Sequence, residues 1–134
     1  LAKIRTGNAL TELISDLTSL DVDMMTDEMI RAAEPVMVES LTRHARKHKY
    51  SGSMIKSIKS TGIKRNKNGK YLVVRPTGKD KDGVRNMEKM AYLEYGTIKQ
   101  KATPVLTPAV REAEHQIESK MNEIFNKYTE KVTT

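Results

Sequence analysis

The sequence contains no cysteine and no tryptophan, and only one phenylalanine. Without cysteine there are no disulfides and no thiolate metal sites, and redox chemistry says nothing about compartment. No apolar run approaches the roughly 20 residues needed to cross a bilayer, and the opening LAKIRTGNAL lacks the apolar stretch of a secretory signal. A soluble intracellular protein with no membrane partner is therefore the expectation. With 134 residues the chain suits a single domain spanning 1–134. An apolar share of 37% implies a modest core, which the eight methionines fill with flexible side chains.

Charge is present and unevenly spread. Leu1 to Thr42 carries a net −5, Arg43 to Asp82 a net +11 and the remainder +1. The whole excess of the +7 chain sits in its middle third. A block of this kind suits a polyanion partner or a solvated, self-repelling face.

Leu10, Leu13, Ile14, Leu17 and Leu20 mark one face of a first helix over Asn8 to Leu20. Asp21 to Asp23 interrupts it. Thr26 is placed to cap a second helix with the stripe Ile30, Ala33, Met37 and Leu41, kinked at Pro35 and ending in RHARKHK. Tyr50 to Ser53 reads as a turn, and Met54 to Lys64 as a helical turn leading into a strand. Asn68-Gly69 then predicts a type I′ hairpin pairing Ser57–Arg65 with Tyr71–Arg75, stopped by Pro76. GKDKDG, Gly78 to Gly83, reads as a polar loop free to move. Tyr92, Leu93 and Tyr95 favour a third strand over Glu88 to Gly96. The firmest periodicity is Val110, Ala113, Ile117, Met121, Ile124 and Tyr128, which predicts a helix from Pro108 to about Tyr128, capped by Thr107.

Reactive constellations are scarce. His44 and His48 stand four apart on one helix face, a zinc-ligand spacing, but Ala, Arg and Lys lie between them and no third ligand is evident. Asp80, Asp82 and Gly83 only faintly echo a calcium loop. His115 falls off the apolar stripe, and Gly78 to Gly83 lacks the Gly-Lys-Ser/Thr ending of a phosphate loop. No nucleophile–base set appears, so the expectation is no enzyme, no metal and no cofactor. A hydrolase would need a cluster that only folding brings together. Lys64, Arg65, Lys67 and Lys70 crowd the hairpin tip, where they can neutralise phosphates without reading bases. A basic DNA-binding module using the Arg43–Lys81 region is therefore the alternative reading of the chain.

The stretch AYLEYGTIKQKATPVLTPAV, Ala91 to Val110, is a definite corner with nothing reactive in it. Alternation would place Tyr92 and Glu94 on one face of a strand and Leu93 and Tyr95 on the other. Gly96 lets the chain leave the strand, Pro104 stiffens the loop and Pro108 starts the helix. The middle, Ile98, Lys99, Gln100 and Lys101, is left to project toward a protein partner.

Glu94-Tyr95-Gly96-Thr97, a short polar stretch with Ala102, and Pro104-Val105-Leu106-Thr107-Pro108-Ala109 together resemble the signature of a family of bacteriophage tail-component proteins. These are the head–tail joining (neck) and tail-completion proteins of long-tailed, lambdoid-type phages and prophages. The family pattern is roughly Glu-Phe/Tyr-Gly-Thr, then Ala-x-Pro-Phe-Leu/Met-x-Pro-Ala, and Val105 stands where Phe is usual. Upstream, Ser51-Gly52-Ser53-Met54-Ile55-Lys56-Ser57-Ile58 is similar to the family's Thr-Gly-x-Leu-x-x-Ser-Ile segment. The resemblance implies an α+β fold, with a small antiparallel sheet of three to four strands packed by a long N-terminal helical segment and a long C-terminal helix. It also implies a virion structural role at the head–tail junction after assembly in the host cytoplasm. The expected partners are further copies of the chain in a ring, commonly hexameric, with neck, connector and tail proteins, and DNA passing through non-specifically. Glu94, Tyr95, Gly96, Thr97, Pro104 and Pro108 are the motif positions, and the resemblance makes Tyr95 a candidate core contact. With Ile98 to Lys101 they form the expected subunit or partner interface.

Overall fold

The computed structural model describes residues 19–48 and 52–133. The apolar stripe expected over Asn8 to Leu17, and the Tyr50–Ser51 part of the expected turn, lie outside the described residues. The described residues form a mixed α+β fold of four helices and four short strands, in the order α1 (Ser19–Ala45), α2 (Gly52–Lys56), β1 (Ile58–Ser60), β2 (Lys64–Asn66), β3 (Gly69–Tyr71), β4 (Val74–Pro76), α3 (Asn86–Tyr95) and α4 (Leu106–Thr133).

The two long helices, α1 and α4, pack antiparallel. Near one end the Ser40 hydroxyl donates to the Ala109 carbonyl at 2.7 Å. Toward the other, the Tyr128 hydroxyl donates to Glu28 at 2.8 Å. Each end has its own core. Leu41, Ala45, Met54, Ile58, Met90, Val105 and Ala109 are buried together where α2, β1 and α3 close over the helix pair. Met25 and Tyr128 anchor a smaller cluster at the far end.

Helix α1 runs without interruption through Asp21–Asp23, where a break was expected. Thr26 is not its cap. The Thr26 hydroxyl donates to the Val22 carbonyl at 2.9 Å, back-bonding within a continuing helix. Pro35 lies inside α1 as expected.

The single three- to four-stranded sheet is replaced by two antiparallel pairs, β1 with β4 and β2 with β3. The expected long hairpin is therefore present as two ladders. The Thr61 N–H still reaches the Val73 carbonyl at 2.9 Å across the break, and Gly62 turns there with φ 74°. The tip is also one residue earlier than the Asn-Gly rule implies. Asn66 pairs with Gly69, so Lys67 and Asn68 form the turn. The Asn66 side-chain oxygen accepts the Asn68 N–H at 2.8 Å, an Asx turn that fixes this position. Gly69, at φ 126°, takes the positive angle, and no described non-glycine residue has one.

The largest correction concerns Glu88 to Gly96, which is helix α3 and not a third strand. Met, Ala, Leu, Glu and Lys favour helix. Asn86, Met90 and Glu94, spaced by four, form its buried face. Strand alternation paired Glu94 with Tyr92; helical periodicity separates them. Tyr95, the expected core contact, is 80% exposed in consequence.

The Gly78–Gly83 loop makes defined contacts through Asp80. Asp80 accepts the N–H groups of Asp82 and Val84, both at 2.9 Å, and pairs with Lys89 at 2.5 Å. Its carboxyl is held below the usual aspartate value, first by Lys89 and next by the Val84 amide.

Candidate functional site

The corner is built around one carboxylate. Glu94, on the last turn of α3, is 9% exposed. One carboxylate oxygen accepts the N–H groups of Val105 and Leu106, each at 2.7 Å. The other accepts the Thr107 N–H at 3.2 Å and its hydroxyl at 2.6 Å. The start of a helix leaves a turn of amide donors without intrahelical partners. Here Glu94 takes three of them, Pro108 has none to offer, and the Ala109 N–H makes the first intrahelical bond, to Val105 O at 3.2 Å. A side chain eleven residues upstream thus caps α4 and adds the negative charge its dipole favours. Burial pushes the Glu94 carboxyl up. The bonds from the Thr107 hydroxyl and the three amides outweigh burial and hold it below the usual glutamate value.

Gly96 closes the other side. Its N–H donates to Tyr92 O at 2.8 Å, and its φ 76°, ψ 177° conformation turns the chain out of α3. A side chain there would meet Ala102 N at 2.8 Å and Gln100 O at 2.9 Å. The loop beyond folds on itself. Thr97 N–H donates to Gln100 O at 2.8 Å, Gln100 N–H returns to Thr97 O at 3.3 Å, and Thr103 N–H reaches back to Leu93 O at 2.7 Å. The tip therefore has a defined shape, yet Ile98 is fully exposed, and Lys99, Gln100, Lys101 and Pro104 are exposed beside it.

The ten corner residues thus fall into two groups. Glu94, Gly96 and Pro108 are spent on internal geometry. Tyr95, Thr97, Ile98, Lys99, Gln100, Lys101 and Pro104 face solvent. The identity of Glu94 as a cap was missed because a strand reading hides its helical neighbours. No local capping pattern covers a carboxylate eleven residues before the helix start. Asn86 was also missed. It is 2% exposed, and its amide donates to Thr77 O at 2.8 Å, joining α3 to the end of β4.

The four hairpin cations divide similarly. Lys64 and Lys67 are exposed. Arg65 pairs with Asp23 at 2.7 Å. Lys70, its side chain only 10% exposed, sits between Asp23 at 2.7 Å and Asp27 at 2.6 Å on α1. Burial works against the charge of Lys70, but the two aspartates raise its pKa above the ordinary value. In return, Lys70 and then Arg65 hold Asp23 below its ordinary value. The basic hairpin is thus tied to the acidic first part of α1, which accounts for part of the uneven charge in the sequence. Lys70→Glu is expected to lower the melting temperature, followed by circular dichroism, clearly more than Lys67→Glu does. Equal melting temperatures would show that the Lys70 pairs hold nothing. Lys64 and Lys67 are accordingly the pair with which to test DNA contact without disturbing the fold.

His44 lies on the inner side of α1. Its Nδ1 is 2.9 Å from Ser40 O and its Nε2 is 3.0 Å from Glu112, which also pairs with Arg43. Both ring nitrogens are engaged, Nδ1 within α1 and Nε2 in joining α1 to α4. Among the described residues no three His, Cys, Asp or Glu side chains gather as a metal site, and no helix is long and apolar enough to cross a membrane.

Comparison with protein-family models, with curated proteins and with solved structures gives no match for this chain.

Proposed function

We propose that the chain is a non-enzymatic structural component of the head–tail junction of a long-tailed phage or prophage, acting as a ring that joins head to tail and lets DNA pass. The support is the resemblance of the Glu94–Thr97 and Pro104–Ala109 segments to the neck and tail-completion family, together with one structural observation. Glu94, Gly96 and Pro108 cooperate to hold a single corner, which presents Tyr95 and Ile98 to solvent on a hydrogen-bonded base. An exposed isoleucine on a preformed loop suits docking on a neighbour, because such a loop loses little conformational freedom on binding.

Lys64 and Lys67 favour an accompanying, non-specific contact with DNA, since both remain exposed at the hairpin tip. This contact is secondary, because the other two tip cations are occupied by α1.

Disrupting the gene in the phage or prophage that carries it should leave filled heads and finished tails accumulating unjoined, as seen by negative-stain electron microscopy. Joined, infectious particles at undiminished yield would overturn the reading.

A further inference from the structure

The clearest apolar periodicity in the sequence is only partly covered in the fold. Ala113 and Tyr128 are buried, but Val110 is 50% exposed, and Ile117 and Met121 are half-buried. Between the two core clusters these residues and Met37 of α1 floor an open groove of about 580 Å³, with Glu114 and Glu118 at its rim. The groove shares Met37, Ile117 and Met121 with a second hollow that runs toward Tyr71 and Val74 of the hairpin, so the apolar surface is continuous across this face of the molecule.

The corner loop has the complementary composition. Ile98 is fully exposed and Tyr95 is 80% exposed, and the exposed Lys99 and Lys101 follow Ile98 in the same loop. Among the described residues, none of Lys99, Lys101, Glu114 and Glu118 has an ion-pair partner. One surface is an apolar protrusion flanked by two cations; the other is an apolar trough flanked by two anions. The loop's internal hydrogen bonds keep its shape ready for insertion.

The geometry points to a head-to-tail contact between copies of this chain: the Tyr95–Lys101 loop of one copy seats Ile98 in the α1–α4 groove of the next, with Lys99 and Lys101 facing Glu114 and Glu118. The inference rests on the ring reading above and names the surfaces that would make the ring. Because the two surfaces differ and lie on the same chain, the contact is heterologous. It repeats until rotation closes it. The apolar floor supplies the attraction, and the paired charges set register and exclude a wrong orientation.

The test is a charge swap on the full chain, with self-association followed by sedimentation velocity and fold by circular dichroism. The four side chains are exposed, and the corner bond at Lys99 is made by its backbone N–H, which the substitution keeps, so each variant should melt like the parent. Lys99→Glu with Lys101→Glu should weaken self-association about tenfold or more, and Glu114→Lys with Glu118→Lys should do the same. An equimolar mixture of the two variants presents two matched pairs of surfaces, reversed loop with reversed groove and parent loop with parent groove, and should recover assembly as alternating copies. A single chain carrying all four changes should recover assembly to within about threefold of the parent, since the coupling between the pairs is restored. Ile98→Asp, which the swap cannot rescue, should abolish assembly.

Assembly of the parent that is indifferent to both reversals, or reversals that fail to rescue each other, would overturn this contact and leave the junction reading standing. A parent chain that stays monomeric throughout would also overturn it. In that case the particle experiment above still decides the junction reading separately.

Discussion

Glu94→Ala is expected to destabilise the protein by about 3 kcal/mol, the sum of a lost helix cap and the exposure of part-buried amide donors to a site with no replacement acceptor. For a chain of this size that corresponds to a fall of roughly 10 °C in melting temperature. The size of the effect follows from the number of groups that depend on one side chain. Three backbone amides and one hydroxyl converge on the carboxylate. Two of those amides belong to Val105 and Leu106, whose side chains enter or border the main core. Thr107→Ala removes only the hydroxyl contact and should cost no more than about 1 kcal/mol. Glu94→Gln keeps an acceptor oxygen but loses the charge, and should fall between the two.

Acid supplies an independent reading of the same bonds. The folded-state pKa of Glu94 is below its unfolded value. The stabilisation is therefore fully present above the unfolded pKa of about 4.3 and is lost as pH falls through the folded value. The stability gap between the parent and Glu94→Gln should be constant near neutrality and narrow from about pH 5 downward. A Glu94→Ala variant within about 0.5 kcal/mol of the parent, or a gap that does not change in acid, would show that the carboxylate does not hold the corner.

The sequence made the two long helices visible because their apolar residues repeat at helical intervals: Ile30, Ala33, Met37 and Leu41 in one, Ala113 through Tyr128 in the other. It made the basic hairpin visible through Asn68-Gly69, although the Asn66 side chain moved the turn one residue earlier. The corner was legible as a unit but assigned the wrong element. Tyr92 and Tyr95 have strand preferences, and a ten-residue helix has few turns in which to declare its period. What decides the matter is tertiary: Asn86, Met90 and Glu94 each find a partner inside the fold only if they share one helical face. A local pattern cannot report that a carboxylate will meet the start of a helix eleven residues later. Nor could it report that Lys70 would be drawn onto Asp23 and Asp27 across more than forty residues of chain. Charge runs read one segment at a time look like surfaces for an absent polyanion, whereas here part of the run is answered by the acidic first third of the same molecule.

Gly96→Ala is the second large effect and the more informative for function. At φ 76°, ψ 177° the backbone occupies a region that is essentially glycine-only, and forcing another residue there costs about 1–3 kcal/mol. The added methyl would also stand 2.8 Å from Ala102 N and 2.9 Å from Gln100 O. Both are backbone atoms, so no flexible side chain can swing aside. Relief requires the 97–102 loop to move away from the end of α3, breaking the Thr97–Gln100 pair or the Thr103–Leu93 bond. The expected total is roughly 3 kcal/mol of stability by thermal or denaturant unfolding. Self-association should fall as well, because the loop that carries Ile98 is displaced as a body. Substitution of Gly83, also at positive φ but with open space where its Cβ would stand, isolates the backbone cost. Gly83→Ala should lose only the conformational part and leave assembly unchanged. If Gly96→Ala and Gly83→Ala behaved alike in both measurements, the close approach of the loop to Gly96 would have no bearing on either stability or docking.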